Sequence, residues 1–380
     1  MNSGLSREQN GLRERIRALV EAQVPYARAD EIDRRDEFPL DLMKKLADEG
    51  FMAVNVPRQY GGDGGGDLEV LIMCEEISKR CPALAWTFGN VILYGNNIVG
   101  VNGNDRQRTK YLPRLARGEI LFAFGLTEPE AGSDAANIRT TAELKDGAWV
   151  INGSKMFITG GGVADVVVTL TRTGPGRYNG ITGFLVDTAR PGFSSRPIKK
   201  LGYKGSDTSE LVYEDVRVAS EDILGGEECL NKGWGQMVRL LNGERLALSA
   251  CALGIAESAL AQALEHYRNR APARRPGSGQ SLEHRLAEMA TELEAARRLA
   301  YHAAWLQTNG MECVRETSMS KFFCSETAKK IAVGAMEVMG PDGYLMANAV
   351  QRQLRDVLIL SIGGGTTQIQ KNIVAKTIGL

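Results

Sequence analysis

The chain lacks net charge, long apolar runs and cysteines at metal or redox spacing, and each absence excludes something. Its 380 residues carry 46 Lys plus Arg against 46 Asp plus Glu. That balance removes any general attraction to nucleic acid or an anionic bilayer, although a local basic patch could still meet a phosphorylated small molecule. No stretch reaches the roughly 20 apolar residues that cross a membrane. Met1–Arg7 has no apolar core of a signal peptide. Cys74, Cys81, Cys229, Cys251, Cys313 and Cys324 fall at no ligand or redox spacing; several have apolar neighbours, where free thiols are usual, so a reducing, cytoplasmic compartment is expected. The three histidines, His266, His284 and His302, sit in helical stretches and read as structural or surface residues, so no metal site is expected. There is no internal repeat, and no low-complexity tract beyond Pro272–Gly279. The glycine-rich run Pro57–Gly66 lacks GxGxxG spacing and a strand feeding it, so a flexible connector is expected rather than a nucleotide loop.

What is present divides the chain in three, more than one compact core can hold. Residues 1–120 read as helical: Leu12, Ile16, Leu19 and Val20 recur at helical spacing, and Gly50 is placed to end a helix over 41–47. Residues 121–228 change character, with runs of Val, Ile, Thr and Phe broken by turn residues. Asn152-Gly153 predicts a tight hairpin between Trp149–Ile151 and Ser154–Thr159. Gly174–Gly180 predicts a longer turn between Val166–Thr171 and Ile181–Val186. No helix-length period interrupts these strands, so this part is expected to be an antiparallel sheet or small barrel and not a Rossmann unit. Residues 229–380 return to helix, with one stripe through Trp234, Met237, Val238, Leu241, Leu248, Ala252 and Ile255, and suit a four-helix bundle. The expected fold class is α+β and multidomain.

Three motifs and one carboxylate carry the chemistry. In Leu126-Thr127-Glu128-Pro129-Glu130-Ala131-Gly132-Ser133-Asp134, Gly132 admits close approach of a ligand and Ser133 offers a hydroxyl and an amide to phosphate oxygens. The second motif is Lys155-Met156-Phe157-Ile158-Thr159-Gly160, and the third is Ser361–Gln370 with Gly363-Gly364-Gly365-Thr366 at its centre. Glu244 follows Leu241 by three residues and precedes Leu248 by four, so its carboxylate points to the apolar face of its helix. A buried carboxylate needs a reason; helix geometry alone leaves open a buried ion pair with a distant base or a catalytic role.

These motifs, in this order, resemble the acyl-CoA dehydrogenase flavoprotein family over nearly the whole chain. The resemblance implies FAD. Phe124, Leu126 and Thr127 match positions lining the isoalloxazine ring, with Gly132 and Ser133 near the pyrophosphate. Phe157 and Thr159 match residues on the ring's other side, and Thr366 and Gln368 match cofactor contacts in the closing motif. Arg270 matches the arginine of a motif that reaches the FAD pyrophosphate of a neighbouring subunit, Gln280 matches a later family cofactor position, and Gly340 falls in a pattern on the adenine side. The family's Phe-Gly after that arginine is missing from Ala271–Pro276, and Gly340 stands in an altered Gln-x-x-Gly-Gly pattern.

One departure is central. Many members carry the catalytic glutamate where this chain has Gly364. A subset resembling isovaleryl-CoA dehydrogenase carries Gly or Ala there and places its base in a Glu-Arg pair matching Glu244-Arg245. The resemblance therefore implies that Glu244 removes the α-proton while the β-hydrogen leaves as hydride to FAD N5. Gly364 keeps a backbone N–H for the thioester oxyanion, and Ser133, Arg245, Gly364 and Gly365 contact substrate, with Arg245 near the entrance. Glycine in place of glutamate at position 364 is expected to open space for branched or otherwise bulky acyl groups. The implied partners are an acyl-CoA or acyl-carrier-protein substrate, an electron-transfer flavoprotein or similar acceptor, and further copies of the chain in a tetramer or dimer. A flavin monooxygenase on the same scaffold is an alternative that needs no base at Glu244; a non-catalytic scaffold would not need Thr127 and Thr159.

Overall fold

The computed structural model describes residues 4–270 and 279–380, except the side chain of Arg239. Residues 1–3 of the leading segment, the loop over 271–276 and most of the low-complexity tract lie outside the described residues. Six helices come first: α1 (Arg7–Gln23), α2 (Tyr26–Arg35), α3 (Leu40–Asp48), α4 (Asp67–Ser78), α5 (Pro82–Ile92) and α6 (Asp105–Ala116). Leu12, Ile16 and Val20 are the buried stripe of α1, which starts at a capping box between Ser6 and Gln9. Gly50, at φ 80°, turns the chain out of α3. The glycine-rich run differs from expectation. Gly64 and Gly65 donate to Val56 O and Val54 O at 2.9 and 2.8 Å, and a Cβ on Gly62 would lie 2.0 Å from Val56 O. These glycines permit close packing; they do not make a loose connector.

The middle strands are β1 (Phe122–Gly125), β2 (Thr141–Lys145), β3 (Ala148–Thr159), β4 (Val166–Arg172), β5 (Ile181–Asp187), β6 (Phe193–Pro197) and β7 (Thr208–Val218). They form one sheet in the order β1-β4-β2-β3-β7-β6, with β5 paired to β4. Most pairs are antiparallel, as expected, but β4 runs parallel to β1, and its last residue, Arg172, pairs in parallel with Thr141 at the start of β2. The β4–β5 hairpin is where the sequence puts it. The Asn152-Gly153 hairpin is not: β3 runs straight through it, and the tight turn falls at Asp146-Gly147, with φ 49° and 75°. Gly153 instead sits beside a register shift against β7, and a Cβ there would be 2.7 Å from the Thr140 backbone. Close approach, not a turn, requires that glycine.

The C-terminal helices are α7 (Gly233–Arg270), α8 (Gln280–Thr308), α9 (Val314–Met339), α10 (Ala349–Val357) and α11 (Thr367–Thr377). By length and composition α7 could cross a membrane, but 83% of its apolar window is buried inside the protein. The stripe through Met237, Leu248, Ala252 and Ile255 is buried; Val238 faces out at 47% exposure. One continuous core joins the two helical regions and reaches the inner side of β1, β4 and β5, while a second core lies within the curl of the sheet. The cavity described next lies where sheet and helices meet.

Candidate active site

A cavity of about 800 Å³ opens between the sheet and α7, the glycine turn and α11. On the sheet side it is lined by Phe124, Leu126, Thr127, Gly132, Ser133, Phe157 and Thr159. On the helical side it is lined by Glu244, Arg245, Gly364, Gly365 and Thr366. Residues more than 200 positions apart in sequence thus meet around one space.

Two of the motifs are tied together by a buried ion pair. Lys155 Nζ donates to Glu128 Oε1 at 2.7 Å, with 0% and 6% of the two side chains exposed, and to Leu126 O at 3.3 Å. Glu128 also accepts from the N–H groups of Arg139 and Thr140 at 2.6 and 3.0 Å. Burial pushes Glu128 up, but the Lys155 ammonium and these donors hold it below its ordinary value. Burial brings Lys155 down to about 8 against the pull of Glu128. Met156 N–H donates to Thr127 O at 2.8 Å, so the strand carrying Phe157 is bonded to the segment carrying Thr127.

Phe157 has φ 60°, next to a register shift in β3, and remains 62% exposed at the cavity. A non-glycine residue in that region stores about 1–3 kcal/mol of strain, and bulges beside active sites re-aim side chains. Here the bulge presents an aromatic face to the cavity, where a flat ring can cover it. Trp86, on α5, donates from Nε1 to Thr159 Oγ1 at 2.8 Å and meets Tyr203 edge-on at 5.2 Å.

On the helical side, Gly364 and Glu244 face each other. A Cβ built on Gly364 would lie 3.8 Å from Glu244 Oε1 and 2.1 Å from Leu248 Cδ1. Gly364 and Gly365 have φ 60° and 82°, so the turn excludes side chains on both backbone and steric grounds. Burial raises the pKa of Glu244 above the usual carboxylate value, and Arg245 and Lys321 pull it back only in part. Burial and the charge of Glu244 also push Tyr94, across the cavity, well up. Among the described residues, the N–H groups of Gly364 and Gly365 donate to no protein acceptor.

Not every expected residue lines the cavity, and two features near Gly364 and Arg245 differ from expectation. Arg245 is not at an entrance: it is buried, 7% exposed, and Nη1 donates to Asn242 Oδ1 at 3.1 Å, which also accepts from Thr317 Oγ1 at 3.1 Å. Gln368 is exposed on α11 and does not line the cavity, whereas Gln370, one helical turn after Thr366, does. Arg270, Gln280 and Gly340 do not line it; Arg270 Nη2 donates to Asp342 Oδ2 at 2.7 Å, away from the site. The space expected beside Gly364 is filled by Leu248. Sequence reasoning also passed over Lys321, Trp86 and Tyr94. For Lys321 the signal was present, since a lysine between Ser320 and Phe322 on the inner face of a core helix needs a buried partner.

Three family models cover the chain: the N-terminal domain of acyl-CoA dehydrogenase over 6–119, the middle domain over 123–216 and the C-terminal domain over 231–379. The chain belongs to the acyl-CoA dehydrogenase family. It is an oxidoreductase of the kind that dehydrogenates acyl-CoA. An acyl-CoA dehydrogenase of Bacillus subtilis is 40% identical over 381 residues, covering 98% of each chain. Mitochondrial isovaleryl-CoA dehydrogenase of Pongo abelii is 33% identical, covering 98% of this chain and 89% of the relative. The structure of butyryl-CoA dehydrogenase from Megasphaera elsdenii matches with a TM-score of 0.95 at 32% identity over 100% of both chains.

A direct consequence concerns Gly364→Glu, which restores the family's more common residue. The new Cβ overlaps Leu248 and is held at positive φ, so a loss of about 2–4 kcal/mol is expected, read by urea unfolding. Unchanged stability would mean that Leu248 does not fill that space.

Proposed function

We propose that this chain binds FAD in the cavity and dehydrogenates an acyl thioester at Cα–Cβ, with Glu244 as the base. The observation that carries the assignment is that the Gly364 Cβ position, where a base is missing, faces the Glu244 carboxylate at 3.8 Å. The residues fit the cofactor: an exposed, strained Phe157, the open Gly132 with nothing within 4 Å of its Cβ position, and hydroxyls at Thr127 and Ser133 surround one cavity. When bound, FAD would accept the β-hydrogen as hydride.

Everything else falls to the protein. Glu244, raised by burial, is a stronger base than a solvated carboxylate and takes the α-proton. Charge developing on the thioester oxygen meets the Gly364 N–H, with Gly365 beside it. Phe124 and Leu126 exclude water from the sheet side, and Ser133 and Gly132 suit a diphosphate. Thr159 and Thr366 offer hydroxyls at the ring's polar edge, with Gln370 taking the place expected for Gln368.

Arg270, Gln280 and Gly340 belong in this reading to the FAD of a second copy of the chain, in a dimer or tetramer. Beside Gly340, Tyr344, Leu345 and Met346 are 82%, 53% and 71% exposed, as suits an apolar contact between copies. The substrate is an acyl-CoA or a carrier-protein thioester, which share the phosphopantetheine arm. An electron-transfer flavoprotein or similar acceptor reoxidises the enzyme. All six cysteines are free, which suits a reducing, cytoplasmic setting. Domain divisions after residues 120 and 228 complete the reading.

The test uses purified protein with a flavin absorbance spectrum, mixed without oxygen with acyl-CoA of varied chain, and separately with the same acyl groups on a carrier protein. Bleaching of the flavin band is expected with at least one acyl thioester. No bleaching with any of them, together with rapid NADPH-dependent oxygen uptake, would favour a monooxygenase.

A further inference from the structure

Lys321 lies on α9 with no exposed surface. Its Nζ donates to Gly365 O at 2.6 Å. Gln370 Nε2 donates to Gly364 O at 3.0 Å and to Gly365 O at 3.3 Å. Both carbonyls of the glycine turn are therefore held from the α9–α11 side. Carbonyl and N–H point in opposite directions across a trans peptide, so this grip also fixes the N–H groups of Gly365 and Thr366. No side chain on the turn itself can do so, because it is built of glycines.

The turn that Lys321 holds lies against Glu244, with the Gly364 Cβ position 3.8 Å from Oε1, and a positive charge there favours the ionised carboxylate. The charged and titratable groups around Glu244 are Arg245 on its own helix, Lys321 from α9 and Tyr94 from the segment after α5. Those around Lys321 are Glu244, Arg245 and Glu326. Arg245, whose Nη1 donates to the neutral Asn242 side chain, keeps its charge and pulls on Glu244 more strongly than Lys321 does. Lys321 thus holds the donor turn directly and adds to the positive charge that favours the ionised carboxylate.

We propose that Lys321 is a positioning residue that holds the Gly364–Gly365 turn in place and, together with Arg245, favours the ionised form of Glu244. The catalytic half of the proposal rests on Glu244 being the base; the electrostatic half does not. Burial brings Lys321 down to about 8, so its charge is lost in mildly alkaline solution, and the hold on Glu244 is expected to weaken there.

The test is the pH titration of the Glu244 carboxyl in the holoenzyme by infrared difference spectroscopy, with the band identified by its absence in Glu244→Gln. In Lys321→Gln, which keeps a donor for Gly365 O but no charge, the midpoint should rise by about one pH unit, and the acid limb of kcat/KM should move with it. In Lys321→Arg, which keeps the charge, both should stay while kcat falls as the larger head displaces the turn. An unmoved carboxyl midpoint in Lys321→Gln, or a moved one in Lys321→Arg, overturns the proposal. If the carboxyl midpoint moves but kcat/KM does not follow, Lys321 still governs Glu244 and it is the base assignment that fails.

Discussion

Glu244→Gln is expected to lower kcat by about 10²- to 10⁴-fold, the range over which a positioned general base contributes, while the protein stays folded and keeps its flavin spectrum. Glutamine has nearly the same shape, and the Glu244 carboxylate accepts no hydrogen bond from the described residues, so no donor among them loses its acceptor. It removes a buried charge, which on balance stabilises a fold or leaves it unchanged. The pH dependence has a definite sign. The base works only when ionised, and burial raises its pKa; wild-type activity should therefore fall as pH drops through a value above that of an ordinary glutamate. The acid limb due to this group should vanish from whatever activity the glutamine variant retains. Stopped-flow bleaching under anaerobic conditions across pH measures both effects.

Glu128→Ala is expected to destabilise the protein by about 3–5 kcal/mol, the usual loss when one member of a buried ion pair is removed. Lys155 would be left with no exposed surface and no carboxylate, and the N–H groups of Arg139 and Thr140 would lose their acceptor. The same pair fixes the segment carrying Leu126 and Thr127 against the strand carrying Phe157, so flavin retention should weaken along with stability. Removing both charges, in Glu128→Leu with Lys155→Met, should recover most of the stability, because the isolated charge is the main penalty. Urea unfolding of the three variants checks this. A single variant as stable as wild type would mean that water reaches Lys155.

The sequence made the general plan legible because helix and strand periods are local. The buried stripe of α1, the helix-ending Gly50 and the β4–β5 hairpin each depend on neighbouring residues. The Asn152-Gly153 turn failed because the same dipeptide chemistry was available at Asp146-Gly147, and only the close approach of Thr140 explains why β3 needs its glycine elsewhere. In the site, Glu244 could be placed on an apolar helical face from its spacing to Leu241 and Leu248. What Leu248 does could not: it fills the volume beside Gly364, which is a contact between two distant segments. Gln368 and Gln370 differ by two positions on a helix, nearly opposite faces, and the choice depends on where α11 starts. Lys321 is visible in the sequence as a lysine among core residues, but its partner, a backbone carbonyl, leaves no mark in composition or motif. Arg270, Gln280 and Gly340 lie away from the cavity of their own chain, and their place depends on a second copy.

The central claim is that proton abstraction belongs to Glu244 and not to the closing turn. Its most direct test is exchange of the substrate α-hydrogen in D₂O, followed by NMR, using an acyl thioester with sulfur in place of the β-carbon so that no hydride can leave. Wild-type holoenzyme should exchange the α-hydrogen, and Glu244→Gln, still bound to its flavin and to the thioester, should not. Exchange at the wild-type rate in that variant would contradict the account.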